Sequence, residues 1–177
     1  MLITAFLFLL LAGVIVFAGI LITTCIGFIQ TRVPYVRSKE VDTLEVLTHI
    51  PLTSQTQFYD LGSGDGTVVF LAEKLAGVQG TGFEVMLWAY WHALWKRRIQ
   101  KSKARFYRQN FFKHSWAEAD VLYGFLYPPL MKRVETKFLL EAKSGALFVA
   151  RDFKFPTLMP IEEVVVNELH TTYIYKK

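Results

Sequence analysis

Phe58-Tyr59-Asp60-Leu61-Gly62-Ser63-Gly64-Asp65-Gly66-Thr67 is the stretch from which the rest of the chain can be read. A short apolar run ends in Asp60-Leu61, glycines follow at alternate positions, and an apolar pattern with helical spacing begins at Val68. That is a strand entering a helix through a turn almost free of side chains. Backbone in such a turn approaches a ligand closely, with the helix N-terminus behind it. A nucleotide or a related cofactor is the natural occupant.

Working outward, Gln79–Glu84 reads as a second strand that ends in a carboxylate 24 residues after Asp60. In a β-α-β unit two parallel neighbours deliver their C-terminal ends to the same sheet edge. Glu84 therefore belongs beside the glycine turn, where it can accept both hydroxyl protons of a ribose. The dinucleotide fingerprint G-x-G-x-x-G would require glycine at position 67 after Gly62 and Gly64. Thr67 stands there, and the third glycine is Gly66.

The flanking elements alternate. A helix over about 39–49, capped by Ser38 and with Val41, Leu44 and Leu47 on its apolar face, precedes the first strand and ends at Pro51. A helix over about 66–76 stops at Gly77, and another runs from about Met86 to Gln100. Strands follow at 104–108, 119–125 and 145–150, with a helix opened by Pro128-Pro129 before the last of these. Val164–Leu169 and Thr171–Tyr175 suit a closing antiparallel hairpin. Alternating strands and helices, then two strands without a helix between them, describe a Rossmann-like α/β sheet with a terminal hairpin.

The chain has 177 residues, and the first 31 contain no Asp, Glu, Lys or Arg. Residues 1–31 therefore read as a transmembrane anchor and 32–177 as one soluble domain. As a helix, the apolar run Leu2–Ile29 spans about 42 Å at ~1.5 Å per residue, more than a hydrocarbon core of ~30 Å. A cleaved signal would need a positive leader and a small-residue cleavage site, and neither is evident. Arg32, Arg37 and Lys39 follow the run closely, which places the domain on the cytoplasmic, or equivalent inner, side. Pro34-Tyr35-Val36 reads as an extended linker.

The formal charge of +5 permits a nucleic acid, a membrane surface or an acidic protein as partner and selects none. Between Glu84 and Glu118 lie eight Lys or Arg residues and no acid. Trp88, Trp91, Leu94, Trp95 and Ile99 mark a broad aromatic face there, interleaved with Lys96, Arg97 and Arg98. Packing of the indoles on the sheet, or their seating at lipid headgroups, accounts for the pattern better than nucleic-acid binding. One cysteine, Cys25, and four scattered histidines offer neither a disulfide nor zinc-ligand spacing. Asn110, after the third strand, could reach an adenine ring, and Tyr127, after the fourth, lies near a reacting centre.

With these residues in view, the chain resembles the class I S-adenosylmethionine-dependent methyltransferases. More narrowly, it resembles the membrane-anchored lysine methyltransferases that modify the ATP synthase c-ring protein and the adenine nucleotide translocase, with their prokaryotic relatives. The likeness rests on the apolar N-terminal helix, Pro34-Tyr35-Val36, Tyr59–Gly66, Gly82-Phe83-Glu84, the Trp-rich helix, Phe125-Leu126-Tyr127-Pro128 and Arg151–Pro156. Asn110 stands where the family more often has an acidic residue, and Phe83 where tyrosine is usual.

The resemblance implies a seven-stranded sheet and S-adenosylmethionine as cofactor, held by Asp60, Gly62, Ser63, Gly64, Gly66, Glu84 and Asn110. It implies direct displacement at the methyl carbon, with a protein lysine, carried by a membrane protein, as acceptor. Tyr35, Tyr127 and Phe153 are the aromatic candidates for the acceptor, and Tyr127 is the catalytic candidate. No metal is implied. Methylation of a lipid or small hydrophobic metabolite, and a non-catalytic membrane-tethered scaffold, are the competing readings.

Overall fold

The computed structural model describes residues 2–31 and 39–177. The linker Pro34-Tyr35-Val36, with the acceptor candidate Tyr35, and the capping role of Ser38 lie outside the described residues. The first helix, α1 (Leu2–Thr31), contains a 20-residue segment, Ile3–Ile22, of mean hydropathy 3.0, long and apolar enough to cross a membrane.

From residue 39 onward the elements alternate as α2 (Glu40–Thr48), β1 (Phe58–Leu61), α3 (Thr67–Ala76), β2 (Thr81–Phe83), α4 (Leu87–Gln100) and β3 (Arg105–Tyr107). Then come β4 (Val121–Gly124), α5 (Pro128–Glu141), β5 (Leu147–Arg151), β6 (Glu162–Asn167) and β7 (His170–Lys176). The seven strands form one sheet in the order β3-β2-β1-β4-β5-β7-β6. The first five pair in parallel, and β7 runs antiparallel between β5 and β6. The seven-stranded Rossmann-like sheet with its closing hairpin is therefore as expected.

Central strands buried on both faces need near-continuous apolar sequence, and β1 and β4 are buried at every position. On one face, α2 and α3 cover Phe58, Val149 and Ile174 with Val46, Leu47 and Leu71. On the other, α5 brings Val134 and Phe138 onto Leu61, Leu122, Phe148 and Tyr175. Two helix boundaries follow from local chemistry. Prolines occupy the first positions of α5, where their missing N–H costs nothing, and Gly77 closes α3 at φ +70°.

Two amphipathic assignments turn out differently. In α2, Val41 is 77 % exposed, while Asp42 and Thr43 are buried. The polar pair faces inward because the guanidinium of Arg151, 2 % exposed, needs partners there. Arg151 Nη2 donates to Asp42 Oδ2 at 2.8 Å. In α4, the buried positions are Ala89 and Ala93, whereas Trp91, Trp95 and Ile99 are each 60 % exposed. Small alanines let the helix backbone lie close to Val69, Phe70 and Phe106, and the indoles of Trp91 and Trp95 then point away from the sheet.

Candidate functional site

Strand register brings the site together. Gly82, Asp60, Tyr123, Val149 and Ile174 lie in one row across β2, β1, β4, β5 and β7. The glycine turn, the chain after β4 and the chain after β5 thus leave the sheet at a common edge, the usual ligand edge of an open parallel sheet.

The turn is built from left-handed backbone: Gly62, Gly64 and Gly66 have φ of +85°, +54° and +79°. Glycine adopts these angles without the penalty a Cβ imposes. Space adds a second requirement at Gly66, where a Cβ would lie 2.6 Å from the Phe106 ring. The N–H groups of Gly62 and Ser63 both donate to the Phe83 carbonyl, at 2.9 and 3.0 Å, which ties the turn to the end of β2.

Glu84 stands beside this turn, as the strand spacing requires, and also holds it in shape. Its Oε2 accepts the Gly64 N–H at 2.8 Å, and its Oε1 accepts the N–H groups of Val85 at 2.8 Å and Met86 at 2.7 Å. Burial raises its pKa, opposed by the donations from Met86, Gly64 and Val85. The carboxylate braces the turn and retains lone pairs for a ribose.

Asp60 is 3 % exposed, and its Oδ2 has no hydrogen-bond partner. Burial pushes its carboxyl well above the ordinary value, and the neighbouring Glu84 and Asp65 carboxylates push the same way. The Ser63 hydroxyl is also buried without a partner. Unpartnered buried polar atoms are costly and rare, so a turn that carries two of them is built to receive polar groups. A cationic amine near Asp60 would relieve the carboxylate, which fits the amino-acid end of S-adenosylmethionine.

Asp65 has a structural duty. Its Oδ1 accepts the Thr67 N–H at 3.2 Å and the Thr67 hydroxyl at 2.6 Å, and Lys96 of α4 donates to its Oδ2 at 3.2 Å. Burial acts to raise its pKa, but the Thr67 hydrogen bond and the Lys96 charge outweigh burial and hold it below the ordinary value. Asn110 follows β3, and its Oδ1 accepts the Phe112 N–H at 2.9 Å, opening a 3-10 turn over Phe111–Lys113.

Leu126 packs 3.6 Å from the position a Gly62 Cβ would take, so the segment after β4 abuts the glycine turn. Tyr127, the next residue, is 42 % exposed and begins α5. Phe153 stacks on Phe125 with ring centroids 6.4 Å apart, making an aromatic wall between the ends of β4 and β5.

Two residues given no role from sequence lie at the same edge. Asp152, directly after β5, has φ +65°, a strained angle for a residue with a side chain. Its Oδ2 pairs with His170 Nδ1 at 2.8 Å, while its Oδ1 is buried without a partner. No spacing rule joins positions 152 and 170. Only the antiparallel return of β7 alongside β5, with Arg151 opposite Thr172, brings them together.

The profile of the ANTKMT methyltransferase domain matches residues 60–162. A protein-lysine N-methyltransferase of Saccharolobus islandicus is 30 % identical over 152 residues, which cover 81 % of this chain and 93 % of that protein. The lysine N-methyltransferase of Rattus norvegicus named for the ATP synthase c-ring protein is 34 % identical over 104 residues, 57 % of this chain and 47 % of the rat protein. The chain thus spans about half the length of that relative. Among solved structures, an RNA methyltransferase from Salinibacter ruber in complex with S-adenosyl-L-homocysteine superposes with a TM-score of 0.76 at 23 % identity, covering 80 % of this chain and 93 % of that one. At that identity the likeness shows the fold alone.

Proposed function

The chain belongs to the ANTKMT methyltransferase domain family, and from that premise we propose that it transfers a methyl group from S-adenosylmethionine to a lysine of a protein at or in a membrane. The observation that carries this reading is the unpartnered, buried Asp60 carboxylate at a glycine turn braced by Glu84. The acceptor class follows the names of the relatives, which are lysine methyltransferases in an archaeon and in animals. The apolar segment Ile3–Ile22 supports a single-pass anchor, with the domain on the cytoplasmic or equivalent inner side.

Asp60, Gly62, Ser63, Gly64, Gly66 and Glu84 would hold the cofactor, and Asn110 would flank its base. When bound, S-adenosylmethionine supplies an electrophilic methyl: the C–N bond to lysine forms as the C–S bond breaks, and S-adenosylhomocysteine leaves. The protein's task is alignment, exclusion of water and removal of one proton from the lysine ammonium. Tyr127, Phe125 and Phe153 line the approach. His170, held through Nδ1 by Asp152, presents Nε2 as proton acceptor, a role that general-base catalysis requires within reach of the ammonium.

The test incubates the detergent-solubilised full chain with tritium-methyl S-adenosylmethionine and three acceptor pools. These are mitochondrial ATP synthase c-ring, a soluble lysine-rich histone mixture and an extracted lipid mixture. Methyl-lysine recovered after acid hydrolysis of the c-ring supports the proposal. Label confined to the organic extract assigns the enzyme to lipids instead. Cofactor binding without transfer to any pool favours a scaffold, as does a biological effect that survives Gly64→Arg.

A further inference from the structure

We propose that the outer face of α4 is a bilayer-docking surface, which seats the domain at the headgroup layer of an anionic membrane beside its own anchor. The inference rests on the single-pass reading of α1. Trp91, Trp95 and Ile99 recur at helical spacing on the face opposite the buried Ala89 and Ala93, and each is 60 % exposed. Isolated exposed apolar residues are ordinary, but a continuous stripe with two indoles is a binding surface. Its chemistry selects the partner. Indoles concentrate at membrane–water interfaces, where an apolar ring with one N–H is matched to the headgroup layer. Arg97 and Arg98 lie on the same helix, and Lys101, Lys103, Arg105 and Arg108 follow, all exposed and within a stretch that contains no acid. Basic residues near a membrane attract anionic lipid.

Position supplies the second argument. The apolar helix α1 approaches α4 and yet leaves the indole stripe exposed. A helix placed next to the span meets the interface without any further motion of the domain. Lys96, on the inner side of the same helix, donates to Asp65 and Thr67 of the glycine turn. Seating α4 therefore also fixes the height of the cofactor turn relative to the membrane, which suits a lysine held close to the bilayer surface.

The anchor contains no tryptophan, so all four indoles report on the domain. The full chain is reconstituted into phosphatidylcholine vesicles with and without phosphatidylglycerol. Emission is then quenched either by lipid brominated near the top of its acyl chains or by aqueous iodide. Quenching by bromolipid with protection from iodide is expected, stronger with phosphatidylglycerol, and lost in Trp91→Ala/Trp95→Ala. Extraction with alkaline carbonate is run in parallel. Protein that resists extraction while its indoles are quenched by iodide and not by bromolipid overturns the docking surface and leaves the anchor standing. Indoles reached by neither quencher would place a protein, such as a second copy, on the face and overturn it equally. Release by carbonate overturns the single-pass reading itself.

Discussion

Glu84 Oε2 accepts the backbone N–H of Gly64 at 2.8 Å, so the carboxylate that ends β2 fastens the turn that follows β1. Its other oxygen secures Val85 and Met86 at the start of α4. Glu84→Ala strands three N–H groups in a buried site, and each unsatisfied group costs about 1–3 kcal/mol. The expected outcome is a lowered melting temperature of the cofactor-free protein together with loss of S-adenosylmethionine binding. Glu84→Gln, which keeps one accepting oxygen, is expected to recover most of the stability and little of the binding. Thermal denaturation and calorimetric titration of the same two variants separate the effects.

The Arg151–Asp42 pair is buried at both ends. Removing one partner leaves an uncompensated charge, which typically costs about 3–5 kcal/mol. Asp42→Ala is therefore expected to destabilise strongly, and Asp42→Leu/Arg151→Met much less. Equal destabilisation by the single and double variants in chemical denaturation would show that the charge is not the cause.

Asp60 carries a raised pKa in the folded protein, so its ionised form is disfavoured by folding. Without cofactor, this group's contribution to stability is greatest below its ordinary pKa of ~3.9 and is lost as pH rises to the raised folded value. Asp65, with its lowered pKa, acts in the opposite sense: its contribution is present above the ordinary value and lost as pH falls through the folded one. Asp60→Asn is expected to stabilise the cofactor-free protein at neutral pH and to weaken S-adenosylmethionine binding. Melting temperatures against pH for the two proteins, with and without cofactor, check both signs.

Gly82 lies in β2 beside the turn, and a Cβ there would lie 2.6 Å from Ser63 Oγ and 2.7 Å from the Phe106 ring. Overpacking a tight site costs about 1–3 kcal/mol. Gly82→Ala is expected to push Ser63 out of place and raise the Kd for S-adenosylmethionine while the protein remains folded. Circular dichroism alongside calorimetry measures both.

His170→Ala removes the group that Asp152 holds at 2.8 Å. If His170 takes the lysine proton, kcat should fall by about 10²–10⁴-fold with cofactor Kd unchanged, and added imidazole should restore part of the rate. A fall in stability without imidazole rescue would make the pair structural.

Much of this architecture is legible in the order of residues. The glycine turn, the strand end at Glu84, the proline-opened α5 and the terminal hairpin each announce themselves through local backbone chemistry. Contributions from distant segments are not legible. Periodicity places Val41 inward, but Arg151, over a hundred residues away, reserves that side of α2 for Asp42 and Thr43. The Trp-rich face of α4 is equally suited to core packing, and the close approach of Ala89 and Ala93 to Phe70 and Phe106 turns it outward.

The division has a physical origin. Glycine φ angles, proline caps and alternating apolar periods act over a few residues, so the chain alone specified a parallel sheet, its ligand edge and an apolar N-terminal helix. The braced Glu84, the Arg151–Asp42 pair and the Asp152–His170 pair depend on strands of remote sequence meeting in register. Which polar group is buried, and against which partner, was decided only when the sheet closed around them.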